Sequence, residues 1–252
     1  MPRSKDQKIR SAGGVVRGIC VAAGCASIIS DTRSDLARAG VIEAVQRHDL
    51  RNGRLNQTAY AMYLFMRDVA GGDFVGWIDR RLETAAETSG LADRAHRMRQ
   101  SLLEPLGHIY GVSDKVLSMA LADLLLAADP NRMLWVETGA SMIAIDTLVH
   151  NWFLRTGVID AVGKAHPYGT ACYGDNGCAL AVEKLAKHID ARDFNPTFPE
   201  VFPRFVQHAI WRFCAQSGLN RCNGNRVDDA AGCQQADCSV FARCERRPLL
   251  PL

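Results

Sequence analysis

The sequence IAIDTLVHNWFLRTG, residues 143–157, joins an apolar run to an aspartate and an amphipathic pattern. The apolar run ends at Asp146, and Val149, Trp152 and Phe153 follow at the spacing of a helix with one buried face. The pattern therefore predicts Asp146 as the N-cap of a helix, where a carboxylate accepts backbone N–H groups and stays ionised. Such a carboxylate suits an enzyme that stabilises a cationic transition state. An ordinary helix start has the same pattern, and this stretch alone favours the ordinary interpretation.

Two other stretches favour the catalytic interpretation of Asp146 over an ordinary helix start. Upstream, residues 109–115 (IYGVSDK) form a glycine-containing link that leads into an apolar helix, and downstream four cysteines lie ten, four and five residues apart. These cysteines are Cys222, Cys233, Cys238 and Cys244. A hairpin with a lysine, a capping aspartate and a four-cysteine loop, in this order, resembles the helix-hairpin-helix DNA glycosylases of the endonuclease III type. The resemblance extends from Ile109 to Cys244, roughly half of the chain.

The resemblance implies that the chain excises a damaged or modified base that has been flipped out of the DNA stack. Asp146 would stabilise the oxocarbenium-like sugar and help to activate the nucleophile, which is either water or Lys115. Lys115 stands where bifunctional members carry the lysine that forms a Schiff base, so AP-lyase activity remains open, although a lysine in a first helical turn is usually just solvent-exposed. The leading alternative is a non-catalytic or differently catalytic, metal-stapled DNA-binding relative. An unrelated helical enzyme with a zinc site is the third interpretation.

The resemblance also implies contacts between double-stranded DNA and Gly111, Ser113 and Arg155. A tight turn that contains glycine directs backbone N–H groups and a helix N-terminus outward, where they bind phosphate without reading sequence. Gly111 supplies a permissive backbone, and Ser113 can cap the helix that follows. The family's proline and second glycine are replaced by Tyr110 and Ser113, so a plain helix-turn-helix link would look similar.

The four cysteines are expected to bind metal. In the family they hold a 4Fe-4S cluster; the last of the three gaps matches the family's spacing, and the first two are longer here. Four thiolates in one short loop, among several arginines, favour a metal centre over free thiols. Structural zinc on the same thiolates is the second interpretation, and unligated thiols are the third. Cys214 is interpreted as a core residue.

A second set of possible ligands lies between the aspartate and the cysteine loop. Cys172 and Cys178 occur among glycines and tyrosines, with His166 and His188 nearby, and their types would allow a second metal site. Their spacing matches no compact ligand motif, so an irregular loop with incidental thiols is favoured. His150 is expected either to line the pocket of Asp146 or to be a hydrogen-bonded structural residue.

Composition describes an ordinary globular chain. The chain has 252 residues, of which 48% are hydrophobic, and a net charge of +3, which permits nucleic-acid binding without demanding it. We do not expect residues 1–33 to be a secretory signal, and nine cysteines, an odd number, then argue against a disulfide framework. No apolar run reaches the ~20 residues of a membrane span. We therefore expect a cytoplasmic protein, and the resemblance to DNA glycosylases implies a nucleoid-associated monomer.

Helical periodicity without strand alternation predicts an all-α fold. Helices are expected over residues 34–48, 58–70, 74–89, 92–106 and 199–217. By the resemblance, the protein has two lobes with DNA in the groove between them. The helical bundle with the helix-hairpin-helix spans residues 56–139. Residues 34–55 and 140–252 form the second lobe with the cysteine loop 222–244, and residues 1–33 are a basic, glycine-rich extension.

Overall fold

The computed structural model describes residues 55–88, 90 and 93–249. These residues form helices joined by turns and loops, and no strand occurs among them, so the all-α prediction is confirmed at this coarse level. The predicted extension over residues 1–33 and the predicted helix over residues 34–48 lie outside the described residues. The described residues divide into two compact units, with the boundary after Met142. None of the described helices is long and apolar enough to span a membrane.

The first unit contains five α-helices in the described part of the chain. They are α1 (Leu55–Leu64), α2 (Phe74–Glu87), α3 (Arg94–Leu106), α4 (Asp114–Ala127) and α5 (Met133–Ser141). Helix α1 continues into a π-helical segment, Phe65–Val69, so the helix predicted over residues 58–70 has two parts and starts earlier. The helices predicted over residues 74–89 and 92–106 correspond to α2 and α3, which are slightly shorter.

Side-chain caps begin two of these helices. Asp73 accepts a hydrogen bond of 2.8 Å from the Gly76 N–H at α2, and Ser113 accepts one from the Val116 N–H at α4. Gly71 has a φ angle of +64° between the π-helical segment and α2. A β-carbon disfavours this left-handed backbone, which accounts for glycine at this turn.

The core of the first unit lies between the apolar faces of its helices. Ile78, Leu82, Met98, Leu102 and Leu125 have no exposed surface. Full burial of such a side chain contributes about 1.5–3 kcal/mol relative to an exposed position. Tertiary packing of this kind stabilises helices that would be marginal as isolated peptides of the same length.

The second unit contains four α-helices in its described residues. They are α6 (Thr147–Thr156), α7 (Ile159–Val162), α8 (Cys178–Ala186) and α9 (Pro203–Cys214), with short 3-10 helices at Thr170–Tyr173, Ala191–Asp193 and Phe241–Arg243. The helix predicted over residues 199–217 corresponds to the shorter α9, whose first residue is Pro203. Proline suits this position because the N–H that it lacks would have no helical acceptor.

Helix α6 is the centre of the second unit. Val149, Trp152 and Phe153 have no exposed surface, as the periodicity predicts, and α6 packs against both α8 and α9. Gly157 ends the helix with a φ angle of +73°. This left-handed end is the common helix stop at glycine, because residues with a β-carbon adopt it at a cost.

Candidate functional site

Asp146 lies at the N-terminus of α6, and its predicted role as the N-cap is confirmed. Its backbone is extended (φ −106°, ψ 179°), and its Oδ1 atom accepts a hydrogen bond of 2.9 Å from the Val149 N–H. The side chain is half-buried and follows a fully buried apolar run, residues 143–145. The cap thus fixes the orientation of a carboxylate that solvent still reaches.

Residues 163–177, which we call the tyrosine loop, pass beside Asp146. The Ile145 N–H donates a hydrogen bond of 3.0 Å to the hydroxyl oxygen of Tyr173. Partial burial raises the pKa of Tyr168, and the nearby charges of Asp146 and Cys172 raise it further. Both tyrosines are 47% exposed, so two phenol groups stand near the capping carboxylate and face solvent in part. Local sequence pattern did not identify them, because only the folded loop brings them to α6.

His150, His166, Cys172 and Cys178 form a group, here called the His-Cys group, that could hold a metal ion. One ligand atom from each residue lies within 4.8 Å of the others. The Nδ1 atom of His150 is 3.5 Å from the sulfur atoms of both cysteines, and the Nε2 atom of His166 is 3.4 Å from that of Cys178. This grouping supports the second metal site that the residue types allowed, whereas the sequence spacing had favoured incidental thiols. His188, which the sequence analysis placed with these residues, is not a member.

Burial decides the protonation states in the His-Cys group. Burial raises the pKa of the Cys178 thiol, and the neighbouring Cys172 raises it further. Burial also lowers the pKa of His150, with a smaller contribution from the charge of His166. Both shifts favour neutral side chains, because a low dielectric disfavours uncompensated charge. A divalent cation would supply the missing compensation and displace the thiol protons.

The four cysteines of residues 222–244, the cysteine loop, line one pocket that is partly open to solvent. Helix α6 forms part of the same wall through Trp152, Arg155 and Thr156. The chain therefore presents two sets of possible ligands, the His-Cys group and the cysteine loop, and both adjoin α6.

Backbone hydrogen bonds attach the cysteine loop to the end of α6. The Glu245 N–H donates to the carbonyl of Thr156 (3.2 Å), and the Arg247 N–H donates to that of Arg155 (2.9 Å). The last carbonyls of a helix have no N–H donor within the helix itself. The segment after Cys244 supplies these partners and so fixes the loop against the helix.

Arg155, which the resemblance assigned to DNA, is buried beneath the cysteine loop. Its side chain is 2% exposed, and its Nη2 atom is 2.5 Å from Oδ1 of Asp229. A guanidinium enclosed in this way cannot reach a DNA phosphate while the loop stays folded, so we remove Arg155 from the set of DNA contacts. A hydrogen bond from Cys214 lowers the pKa of Cys222, and the charge of Arg155 acts in the same direction. Cys214 is fully buried, as a core residue should be.

The remaining predicted residues belong to the first unit. Gly111 has a φ angle of +87° in the link between α3 and α4, which explains the need for glycine in this turn. Ser113 caps α4, and Lys115 follows in the first turn as a half-buried side chain. These three residues therefore occupy one turn and the helix start after it, whereas Asp146 and all four predicted metal ligands lie in the second unit.

Comparison of the chain with protein-family models, curated proteins and solved structures found no match.

Proposed function

We propose that the chain is a DNA N-glycosylase that removes a damaged or modified base from duplex DNA. In this proposal the base leaves the stack, and the carboxylate of Asp146 stabilises the positive charge that develops on the sugar as the glycosidic bond breaks. A water molecule then forms the new bond to the sugar carbon and loses a proton, while the base departs with the electron pair of the broken bond. The proposal rests on the resemblance in motif order and on the geometry of α6.

The observation that carries the proposal is the dual use of α6. Its N-terminus holds Asp146 with one hydrogen-bonded oxygen, and its C-terminal half lines the pocket of the four cysteines. An apolar face without exposed surface fixes the helix between these two ends. A capping carboxylate and a metal loop joined by one rigid helix are what a glycosylase of this type requires, because the loop then orients the helix that carries the catalytic group.

We further propose that Cys222, Cys233, Cys238 and Cys244 hold a 4Fe-4S cluster. Four thiolates are the usual ligands of such a cluster, and each binds a different iron atom, which keeps the sulfurs apart. A single tetrahedral zinc ion, with Zn–S bonds of ~2.3 Å, would require all sulfur pairs to lie about 3.8 Å apart. Structural zinc on the same four thiolates is the alternative.

Two buried donors in the same pocket support this choice. The Nε1 atom of Trp152 and the Nε atom of Arg155 are buried and have no hydrogen-bond partner among the described residues, and both side chains line the pocket. A buried N–H group without an acceptor costs about 1–3 kcal/mol. The sulfides and thiolates of an anionic cluster are acceptors, so a bound cluster would give these two donors hydrogen-bond partners.

Contacts to DNA are proposed for the exposed arginines of the cysteine loop and for the link of Gly111 and Ser113. Arg226, Arg243 and Arg246 are exposed, in contrast to Arg155. Arginine at a surface neutralises phosphates and releases counterions, so binding through these residues should weaken steeply with salt. In this proposal the role of the cluster is chiefly structural: it orders the loop and its arginines.

The experiment that tests the proposed function is a scan of damaged DNA. Purified protein is incubated with duplexes that each carry one oxidised, alkylated, deaminated or hypermodified base, and abasic sites are scored after alkaline cleavage. We expect excision from at least one class of modified base and none from the unmodified duplex. Salt-sensitive binding without excision from any duplex would replace the proposal with a non-catalytic DNA-binding protein. A protein that neither binds nor excises any of these duplexes would contradict both the glycosylase proposal and the DNA-binding alternative.

A further inference from the structure

We propose that His150, His166, Cys172 and Cys178 bind one zinc ion, which fixes the tyrosine loop beside Asp146. The inference concerns a second metal site, separate from the four cysteines of the cysteine loop. It stands on the geometry of the His-Cys group and does not depend on the proposed glycosylase activity.

The distances agree with a tetrahedral ion. With Zn–S bonds of ~2.3 Å and Zn–N bonds of ~2.0 Å, a tetrahedron places a sulfur ligand about 3.5 Å from a nitrogen ligand. Three of the four nitrogen–sulfur pairs in the group are 3.5, 3.5 and 3.4 Å apart, namely His150 with each cysteine and His166 with Cys178. Ligands that merely share hydrogen bonds have no reason to converge on a common point, whereas all four ligand atoms here lie within 4.8 Å of one another.

The donor set and its burial identify the metal and the type of site. Two thiolates and two imidazoles are a typical set for zinc, which prefers four-coordinate tetrahedral surroundings. Cys172 and Cys178 have no exposed surface and His150 is 3% exposed, so water has little access to the centre. Four protein ligands in a closed pocket define a structural ion and leave no position for a substrate.

A backbone carbonyl orients one of the ligands, His166. The Nδ1 atom of His166 lies 2.7 Å from the carbonyl oxygen of Lys164. A carbonyl only accepts, so Nδ1 carries the proton and Nε2 is free to bind metal, as in most zinc sites.

The backbone of the tyrosine loop is built to bring the two cysteines together. Gly177 precedes Cys178, and a β-carbon at this position would lie 2.4 Å from the carbonyl oxygen of Ala171 and 2.5 Å from that of Cys172. The loop is closed at its other end by a hydrogen bond from the Lys164 N–H to the Asn176 carbonyl (3.0 Å). The close approach of the two cysteine segments therefore requires glycine.

A zinc ion here would hold the loop against the start of α6. His150 lies one turn after Asp146, while His166 and Cys172 lie on the tyrosine loop, so the ion would join the helix to the loop. The Tyr168 ring is already 5.6 Å from the His150 ring, and Tyr173 accepts the Ile145 N–H. We infer that the ion sets the position of both phenol groups relative to the Asp146 carboxylate.

The test is zinc-edge X-ray absorption on the full chain, expressed with zinc and iron and freed of loosely bound metal. We expect about one zinc per chain, with two sulfur and two nitrogen neighbours at ~2.3 and ~2.0 Å. Four sulfur neighbours would place the zinc in the cysteine loop and overturn the inference. Absence of zinc, or a disulfide between Cys172 and Cys178 in a count of free thiols, would overturn it as well.

Variants test the ligand assignment and the role of the ion. His166→Gln and the double variant Cys172→Ser, Cys178→Ser should each retain at least tenfold less zinc than the wild type, while the exposed His188→Gln is the control that keeps it. Hydrogen exchange should accelerate at least tenfold in the tyrosine loop of His166→Gln, and not in α2 of the first unit. Full zinc content in His166→Gln, or an unchanged loop after zinc loss, would contradict the proposal. The absorption spectrum of the wild type decides the case if a variant fails to fold.

Discussion

His208 lies in α9 beside two arginines, and its burial makes the second unit sensitive to acid. Burial lowers the pKa of His208 to about 4, and the charges of Arg204 and Arg212 contribute to the shift. The unfolded chain therefore binds a proton between pH 6.5 and 4 that the folded chain excludes, so stability falls as the pH falls through this range. We expect the free energy of unfolding to lose roughly 1–3 kcal/mol from this one residue.

Urea unfolding between pH 7 and 5 measures this effect as a difference between proteins. His208→Gln should lose less stability over the range than the wild type, because glutamine takes up no proton. His188→Gln, an exposed histidine in the same unit, should follow the wild type. Parallel pH dependence of His208→Gln and the wild type would show that His208 does not titrate in this way.

We predict a second chemical step, strand cleavage, if Lys115 acts as the nucleophile. If Lys115 is the nucleophile, its nitrogen attacks the sugar carbon, the base leaves, and a Schiff base forms that borohydride reduces to a stable protein–DNA adduct. We expect trapping with a duplex that the enzyme excises, nicking of the strand, and loss of both in Lys115→Gln. Lys187→Gln, an exposed lysine of the second unit, is the control. Excision without nicking or trapping would instead indicate a monofunctional enzyme with water as the nucleophile.

The residues that could be predicted from sequence are those whose role is local. Asp146 was predicted as an N-cap because the capping hydrogen bond reaches only three residues ahead, to Val149. A second metal site was allowed by the residue types but not favoured, and His150 was not assigned to it, because His150 and Cys178 lie 28 positions apart and converge only after the tyrosine loop has folded onto α6. Arg155 was assigned to DNA because spacing shows which residues share a helix, but not which face the later cysteine loop covers.

At the scale of elements, Gly177 tests whether the loop must approach α8 as closely as described. In Gly177→Ala the new methyl group would overlap the Ala171 and Cys172 carbonyls, so backbone must move. Such overpacking typically costs about 1–3 kcal/mol, and we expect weaker zinc binding with it. Gly174→Ala is the matched control, since its methyl group would meet only the Ala171 oxygen at 3.6 Å. Equal unfolding free energies and zinc contents for the two variants would contradict the described loop.

Helices were predicted more accurately than loops for the same physical reason. Periodicity and caps fixed α2, α3 and α6 to within a few residues, because amphipathic burial and capping are properties of neighbouring residues. Helix α9 begins at Pro203 and not at residue 199, since the preceding residues make turns that periodicity does not register. The cysteine loop contains almost no regular structure, so only the types and order of its residues indicated a function.

At the scale of the whole molecule, the two metal sites should load independently. Protein purified without oxygen should be brown and contain about four iron atoms and about one zinc ion per chain. Cys233→Ser should lose iron and keep zinc, whereas His166→Gln should lose zinc and keep iron, as measured by metal analysis of the folded chains. Colourless protein with zinc on the four cysteines would replace the iron-sulfur proposal with structural zinc. Protein without metal in the cysteine loop would contradict both the iron-sulfur proposal and the structural-zinc alternative.

The central claim is that Asp146 stabilises the charge that develops when the glycosidic bond breaks, and single-turnover excision by two matched variants tests it most directly. Asp146→Asn and Asp73→Asn each change an N-cap aspartate that accepts one backbone N–H, so both should cost no more than about 1 kcal/mol in stability. On the best duplex from the scan of damaged DNA, we predict that Asp146→Asn excises about 10²–10³-fold more slowly than the wild type and still binds, while Asp73→Asn is unchanged. Wild-type excision by a folded Asp146→Asn protein would contradict the account.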